Sequence, residues 1–140
     1  MRYFIIIISV MLSYSAIAGP IPSSGTMEAF FSPKGGATEA VVSEIGKAKN
    51  EILIQAYSFT SKPIAKALLE AKRRGVRIEA VLDKSNATAK YSAATFLYNA
   101  GIPVLIDSEY AIAHNKVIIV DRSALITGSF NFTSAAEFNG

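Results

Sequence analysis

Near one end of this 140-residue chain, His114, Lys116, Asp121, Gly128, Ser129 and Asn131 bring together side chains able to hold and attack an anionic oxygen cluster. Along an extended strand, residues two apart point the same way and lie ~6.5–7 Å apart. His114 and Lys116 therefore project from one face, at the start of the apolar run Val117–Val120. Ser129 and Asn131 repeat that relation just past Ala124–Thr127. If the two runs pair across Asp121-Arg122-Ser123 as a hairpin, both polar pairs emerge at one end of a sheet. Lysine brings a full positive charge and asparagine an amide donor. Serine adds a hydroxyl, and histidine a nitrogen that is basic or nucleophilic near neutral pH. Phosphate is the natural guest. A Gly-x-x-x-x-Gly-Lys loop is missing, so triphosphate binding of the P-loop kind is not indicated. Taken singly, Lys116 would read as a solvated strand-end lysine, and Ser129 and Asn131 as ordinary turn residues. Asp121 has two readings: it orients a catalytic group, or it caps the hairpin turn and pairs with a nearby base.

The elements that must position these residues alternate. Thr26–Phe31 is a short strand candidate closed by Ser32-Pro33. Val41, Val42, Ile45 and Ala48 recur at helical spacing and predict a helix over 38–49. The run from Ile52 to about Ser58 is apolar on both faces, as a central strand requires. Ser61 is placed to cap the next helix, with Pro63 in its first turn, Gly75 at its end, and Ile64, Leu68 and Ala71 as its buried stripe. Val76 to Leu82 alternates as a strand, 88–99 reads as a third helix stopped by Gly101, and Pro103–Ile106 as a further short strand. Strands alternating with helices, then a late hairpin, predict an α/β fold: one domain with helices packed on a mixed sheet.

Composition narrows the chemistry. With no cysteine and one histidine, the chain has neither disulfides nor Cys-based zinc sites nor a thiol nucleophile, and one chain cannot build a His-cluster metal site. Asp83, Asp107, Glu109 and Asp121 show no metal-ligand spacing, and no cofactor is called for. Hydrophobic residues make up 51% and charged residues 18%, which suits a packed core rather than disorder. Residues 1–18 combine Arg2, an apolar run from Phe4 to Ile17 and the small-x-small end Ala16-Ile17-Ala18, the pattern of a secretory signal peptide cut after Ala18. The run is shorter than the ~20 apolar residues of a membrane span. The mature domain is then 19–140, in the periplasm or secreted, with no stable membrane association. Lys62, Lys66, Lys72, Arg73, Arg74, Arg77, Lys84 and Lys90 concentrate basic charge in the middle third. They are either a solvated helix face or a path for a phosphate backbone bound without base readout.

Displacing an alkoxide from phosphorus, were that the chemistry at such an anion site, needs a nucleophile on one side and a proton donor on the other. A single imidazole cannot occupy both ends of an in-line displacement. Either water attacks directly, or a second motif comes from a second chain.

His-x-Lys, four residues, Asp, six residues, Gly-Ser-x-Asn resembles the HKD motif of the phospholipase D superfamily at His114, Lys116, Asp121, Gly128, Ser129 and Asn131. One copy, an export leader and the short length are most similar to the small bacterial Nuc-type endonucleases. The resemblance implies metal-independent hydrolysis of DNA, with RNA as a further substrate, through a phosphohistidine on His114. It also implies a two-fold homodimer that sets two motifs face to face. Lys116 and Asn131 would then neutralise non-bridging oxygens, Ser129 would steady the phosphate or the histidine, Gly128 would help bind substrate, and Asp121 would play a supporting role. The same superfamily includes phospholipases, which makes an anionic lipid the first alternative substrate. Small nucleases of this kind continue past the motif with an Asn-x-Glu-Asn stretch, a strand and a helix. Against that pattern the chain reads as truncated, its histidine-orienting carboxylate falling beyond Gly140 and Glu137 a few positions too early. A catalytically weak nucleic-acid-binding module is the second alternative.

Overall fold

The computed structural model describes residues 24–89 and 92–138, so the expected leader over 1–18 lies outside the described residues, as does Lys90. The elements follow in the order α1 (Ala37–Lys47), β1 (Glu51–Ala56), α2 (Lys62–Arg73), β2 (Arg77–Asp83), α3 (Ser85–Thr88), α4 (Ala94–Asn99), β3 (Val104–Asp107), β4 (Lys116–Val120), β5 (Ala124–Thr127) and α5 (Ser134–Phe138). The strands form one sheet ordered β3-β2-β1-β4-β5. Its first three strands are parallel; β4 runs antiparallel to β1, and β5 antiparallel to β4. This is the expected α/β architecture, a mixed sheet flanked by helices, with the doubly apolar 52–54 run in the central strand.

Strand alternation decides which face is covered. Ile52, Ile54 and Ala56 of β1, Ile78, Ala80 and Leu82 of β2, and Ile118 and Val120 of β4 are all buried. They meet Ile45 of α1, Ile64 and Leu68 of α2, and Leu97 of α4 in one core. Helix α2 forms as its sequence predicts: the Ser61 hydroxyl accepts the Ile64 N–H, Pro63 sits in the first turn, and Gly75 takes φ +90°. Helix α1 has no side-chain cap of its own. Instead the Glu137 carboxylate, 99 residues away, accepts the Thr38 N–H at 3.1 Å. Negative charge there complements the positive end of the helix.

Two expectations are corrected. Residues 26–31 form no strand: Phe31 makes only isolated bridges to Gly35 and Gly36, and 24–31 are exposed, with no buried face to hold them on the sheet. The helix expected over 88–99 occupies only 94–99, with the short α3 before it. The break follows from side-chain competition with the helix backbone. The Ser92 hydroxyl accepts the Ala94 N–H at 3.1 Å and donates to Asn86 Oδ1 at 3.0 Å, which starts α4 late. Helix α5 has no counterpart in the sequence reading.

Candidate active site

The β4–β5 hairpin brings both polar pairs to one end of the sheet. Val117 pairs with Thr127, so the residues before β4 and after β5 leave together, beside the C-terminal end of β1. Lys116 opens β4 opposite Ala56, in the same core-facing row as Ile118 and Val120. It is buried, and its Nζ donates to the His114 carbonyl at 2.9 Å. That bond closes the backbone around the histidine and leaves two ammonium protons for an anion. Burial holds the Lys116 pKa below its ordinary value. The exposed His114 ring stands edge-on to Tyr57, centroids 4.4 Å apart, while Lys116 Nζ lies 5.3 Å from the same tyrosine ring. Tyr57 is a contact the sequence reading missed; the only signal was an aromatic residue at the end of the central strand. His114 also borders a cavity of about 250 Å³ together with Gln55, Asp107 and Tyr110.

Asn131 is placed by its neighbours. Phe132 is buried against Phe59, 6.2 Å between ring centroids, with Phe130 a further 6.5 Å from Phe132. The Phe132 carbonyl accepts the N–H groups of Thr60 and Ser61 at 3.0 and 2.9 Å, tying this loop to the start of α2. Asn131 Oδ1 is buried without a hydrogen-bond partner among the described residues. Gly128 has φ +151°, which an L side chain rarely adopts, though a Cβ there would meet nothing within 4 Å. Conformation, not space, calls for glycine at this position.

Asp121 lies elsewhere. It follows the far end of β4, and its carboxylate accepts the N–H groups of Lys49 (2.9 Å), Asn50 (2.8 Å) and Glu51 (2.8 Å). These bonds hold its carboxyl below the usual aspartate range. Asp121 and Arg122 both take positive φ, at 50° and 55°, and the Ser123 N–H closes on the Val120 carbonyl at 3.0 Å. Six residues lie between Asp121 and His114, most of them extended at ~3.3 Å each. The geometry puts the Asp121 carboxylate on the N–H groups between α1 and β1, at the sheet end remote from His114, which favours a structural role over the catalytic one. Glu137 is engaged at the N-terminus of α1, where one of its carboxylate oxygens accepts the Thr38 N–H.

The basic cluster is likewise mostly at the wrong end. Arg73 pairs with Glu70, Arg74 donates to the Ile45 and Ala48 carbonyls at the end of α1, and Arg77 pairs with Glu51 and Glu79. Arg77 opens β2 at the edge opposite His114. Exposed Lys62 at the start of α2 and Lys84 just past β2 are the cations of this group that stand at the His114 end. Among the described residues no three His, Cys, Asp or Glu side chains gather as a metal-ligand set.

Fold and site together define an α/β domain that gathers His114, Lys116 and the Gly128–Asn131 segment at the sheet end shared by β1, β4 and β5. The chain belongs to the phospholipase D-like family: residues 41–139 match the family model described as "Cardiolipin synthase, PLD-like domain". It is 46% identical over 107 residues to a phospholipase D of Rickettsia felis, covering 76% of this chain and 54% of that protein. A mitochondrial cardiolipin hydrolase of Mus musculus is 33% identical over 92 residues, covering 66% of this chain and 42% of that protein. The chain thus spans about half the length of the curated relatives it matches. Among solved structures, Nuc from Salmonella typhimurium, a phospholipase D family member, superposes with a TM-score of 0.75 at 47% identity, covering 79% of this chain and 74% of that one. NucT from Helicobacter pylori gives 0.66 at 27% identity, covering 74% and 72%.

Proposed function

We propose that this chain is a metal-independent phosphodiesterase, an endonuclease that hydrolyses DNA, and RNA as well, through a phosphohistidine on His114 within a homodimer. The observation that carries this reading is the convergence of His114, Lys116 and the Gly128–Asn131 turn at one sheet end, with the imidazole exposed and the ammonium buried behind it. The likeness to Nuc over most of both chains supports nucleic acid as substrate.

The chemistry follows from what each group can do. A ring nitrogen of His114 attacks phosphorus, and the leaving oxygen takes a proton from the partner chain's copy of the same imidazole. Lys116 and Asn131 donate to the non-bridging oxygens as charge builds there. Water, deprotonated by the second imidazole, then breaks the P–N bond and restores His114. The two imidazoles titrate as a coupled pair, so neither has a fixed role before substrate binds.

Hydrolysis of DNA, RNA and an anionic phospholipid in the presence of EDTA, by the wild type and by His114→Ala, tests this reading. DNA cleavage is expected to survive the chelator and to fall by about 10³-fold or more in His114→Ala, with acid-labile phosphate trapped on His114 of the wild type. Phospholipid turnover without nucleic-acid cleavage would favour the lipid reading suggested by the names of the family model and the Rickettsia relatives. Activity lost to EDTA and restored by a divalent cation would overturn the metal-independent scheme.

A further inference from the structure

We propose that Asp83 is the positioning residue of this site: its buried carboxylate fixes the backbone that presents His114, while Asn86 fixes the tyrosine that packs against the imidazole. The proposal rests on the reading of His114 as the reacting group.

The chain reaches β4 from the opposite edge strand. After β3, residues 108–115 cross the ends of β2 and β1 without regular structure, and His114 sits near the end of that crossing. Its last residues are tied by Lys116 Nζ to the His114 carbonyl and by the Tyr57 N–H to the Asn115 carbonyl at 2.8 Å, and ahead of these by Asp83. The Ala113 N–H, buried and immediately before His114, donates to Asp83 Oδ2 at 2.8 Å. The other oxygen, Oδ1, accepts the Ser85 N–H at 2.9 Å. Asp83 is 3% exposed, and the Ser85 hydroxyl, with the Ala113 and Ser85 N–H groups, lowers its carboxyl to about 2. With both oxygens occupied by backbone donors, it serves as an anchor rather than as an acid or base.

Asn86, in the short α3 that follows β2, completes the device. Its Nδ2 donates to the Tyr57 carbonyl at 2.6 Å and the Asp83 carbonyl at 3.1 Å, and its Oδ1 accepts the Phe59 N–H at 3.3 Å. Tyr57 is thereby fixed on the side from which its ring meets His114. The two side chains thus set the two faces of one contact, the histidine backbone and the tyrosine. Removing one acceptor leaves a buried N–H without a partner and frees the crossing segment. A displacement of about 1 Å at a reacting group can cost on the order of 10²-fold in rate.

Asp83→Asn is the test, because asparagine keeps the shape but offers one acceptor to two N–H donors. His114 is the only histidine in the chain, so its ring gives a single set of imidazole NMR signals. In the folded variant those signals are expected to lose the ring-current shift imposed by Tyr57. In parallel kcat should fall about 10- to 100-fold with KM changed less than about threefold. A folded variant with unaltered imidazole signals and kcat would overturn the proposal. Should the variant not fold, hydrogen exchange in the wild type decides: a protected Ala113 amide supports the anchor, and an amide exchanging as freely as the exposed 108–110 loop overturns it. If the wild type hydrolyses no diester yet the imidazole signals respond to Asp83→Asn, the phosphodiesterase reading fails and the positioning role stands.

Discussion

Lys116 sits in the core-facing row of β4 with Ile118 and Val120, where its neighbours in the row are aliphatic. Burial disfavours its charged form and lowers its pKa from the ordinary 10.5. The sign of the linkage follows. Between the lowered folded value and 10.5 the unfolded chain binds more protons, so stability rises with pH across that window. Below it, folding carries the full desolvation penalty of the ammonium. Lys116→Met is therefore expected to abolish turnover while leaving the fold as stable as wild type or about 1 kcal/mol more stable. Denaturant unfolding of the two proteins at pH 7 and pH 10 checks this, and the alkaline rise should be confined to the wild type.

At the scale of elements, the β4–β5 hairpin has two functions at its two ends. Its open end delivers His114, Lys116 and Asn131; its turn end carries Asp121, whose carboxylate gathers three N–H groups from the segment between α1 and β1. The hairpin is thus pinned to the layer of α1 at the end remote from the chemistry. Asp121→Ala should lower Tm by several degrees and leave kcat of the folded protein within about twofold of wild type. The depressed carboxyl makes this contribution present above the ordinary aspartate value of 3.8 and progressively lost as acid protonates it, so the Tm gap between the two proteins should close toward low pH. Packing of the hairpin on β1 is tested differently. Ile118 faces Ile54 across the strand pair and is fully buried, so Ile118→Ala should cost about 2–5 kcal/mol in denaturant unfolding.

For the whole molecule, the single histidine sets a stoichiometry. If two copies of His114 act on one phosphorus, a chain carrying His114→Ala inactivates any wild-type chain it pairs with. Subunits mixed in equal amounts and re-equilibrated should show about half the activity per wild-type chain, because random pairing leaves about half of those chains with a competent partner. Undiminished activity per wild-type chain would mean that each chain works alone. The sheet face opposite the helices adds a physical reason for contact with further polypeptide. Leu53, Val81, Val117 and Ile119 are only half-buried there, and Leu105 and Leu125 are 68% and 64% exposed.

Periodicity and motif spacing made much legible from the residues alone. The apolar runs and the Ser61, Pro63 and Gly75 signals marked β1, α2 and β2, because local conformational preference and one buried face act in the same direction there. The His-x-Lys and Gly-Ser-x-Asn spacings, with the hairpin between them, anticipated which side chains share a sheet end. Tertiary structure alone decided the rest. The Asp121 carboxylate found its N–H donors some seventy residues away, and Glu137 found its own 99 residues away. The roles of Tyr57, Asp83 and Asn86 and the dispersal of the arginines likewise follow from contacts between segments distant in the chain. A residue's type and its near neighbours limit what its side chain can bind, but the partner it meets is chosen by strand order and by the paths of loops across the sheet.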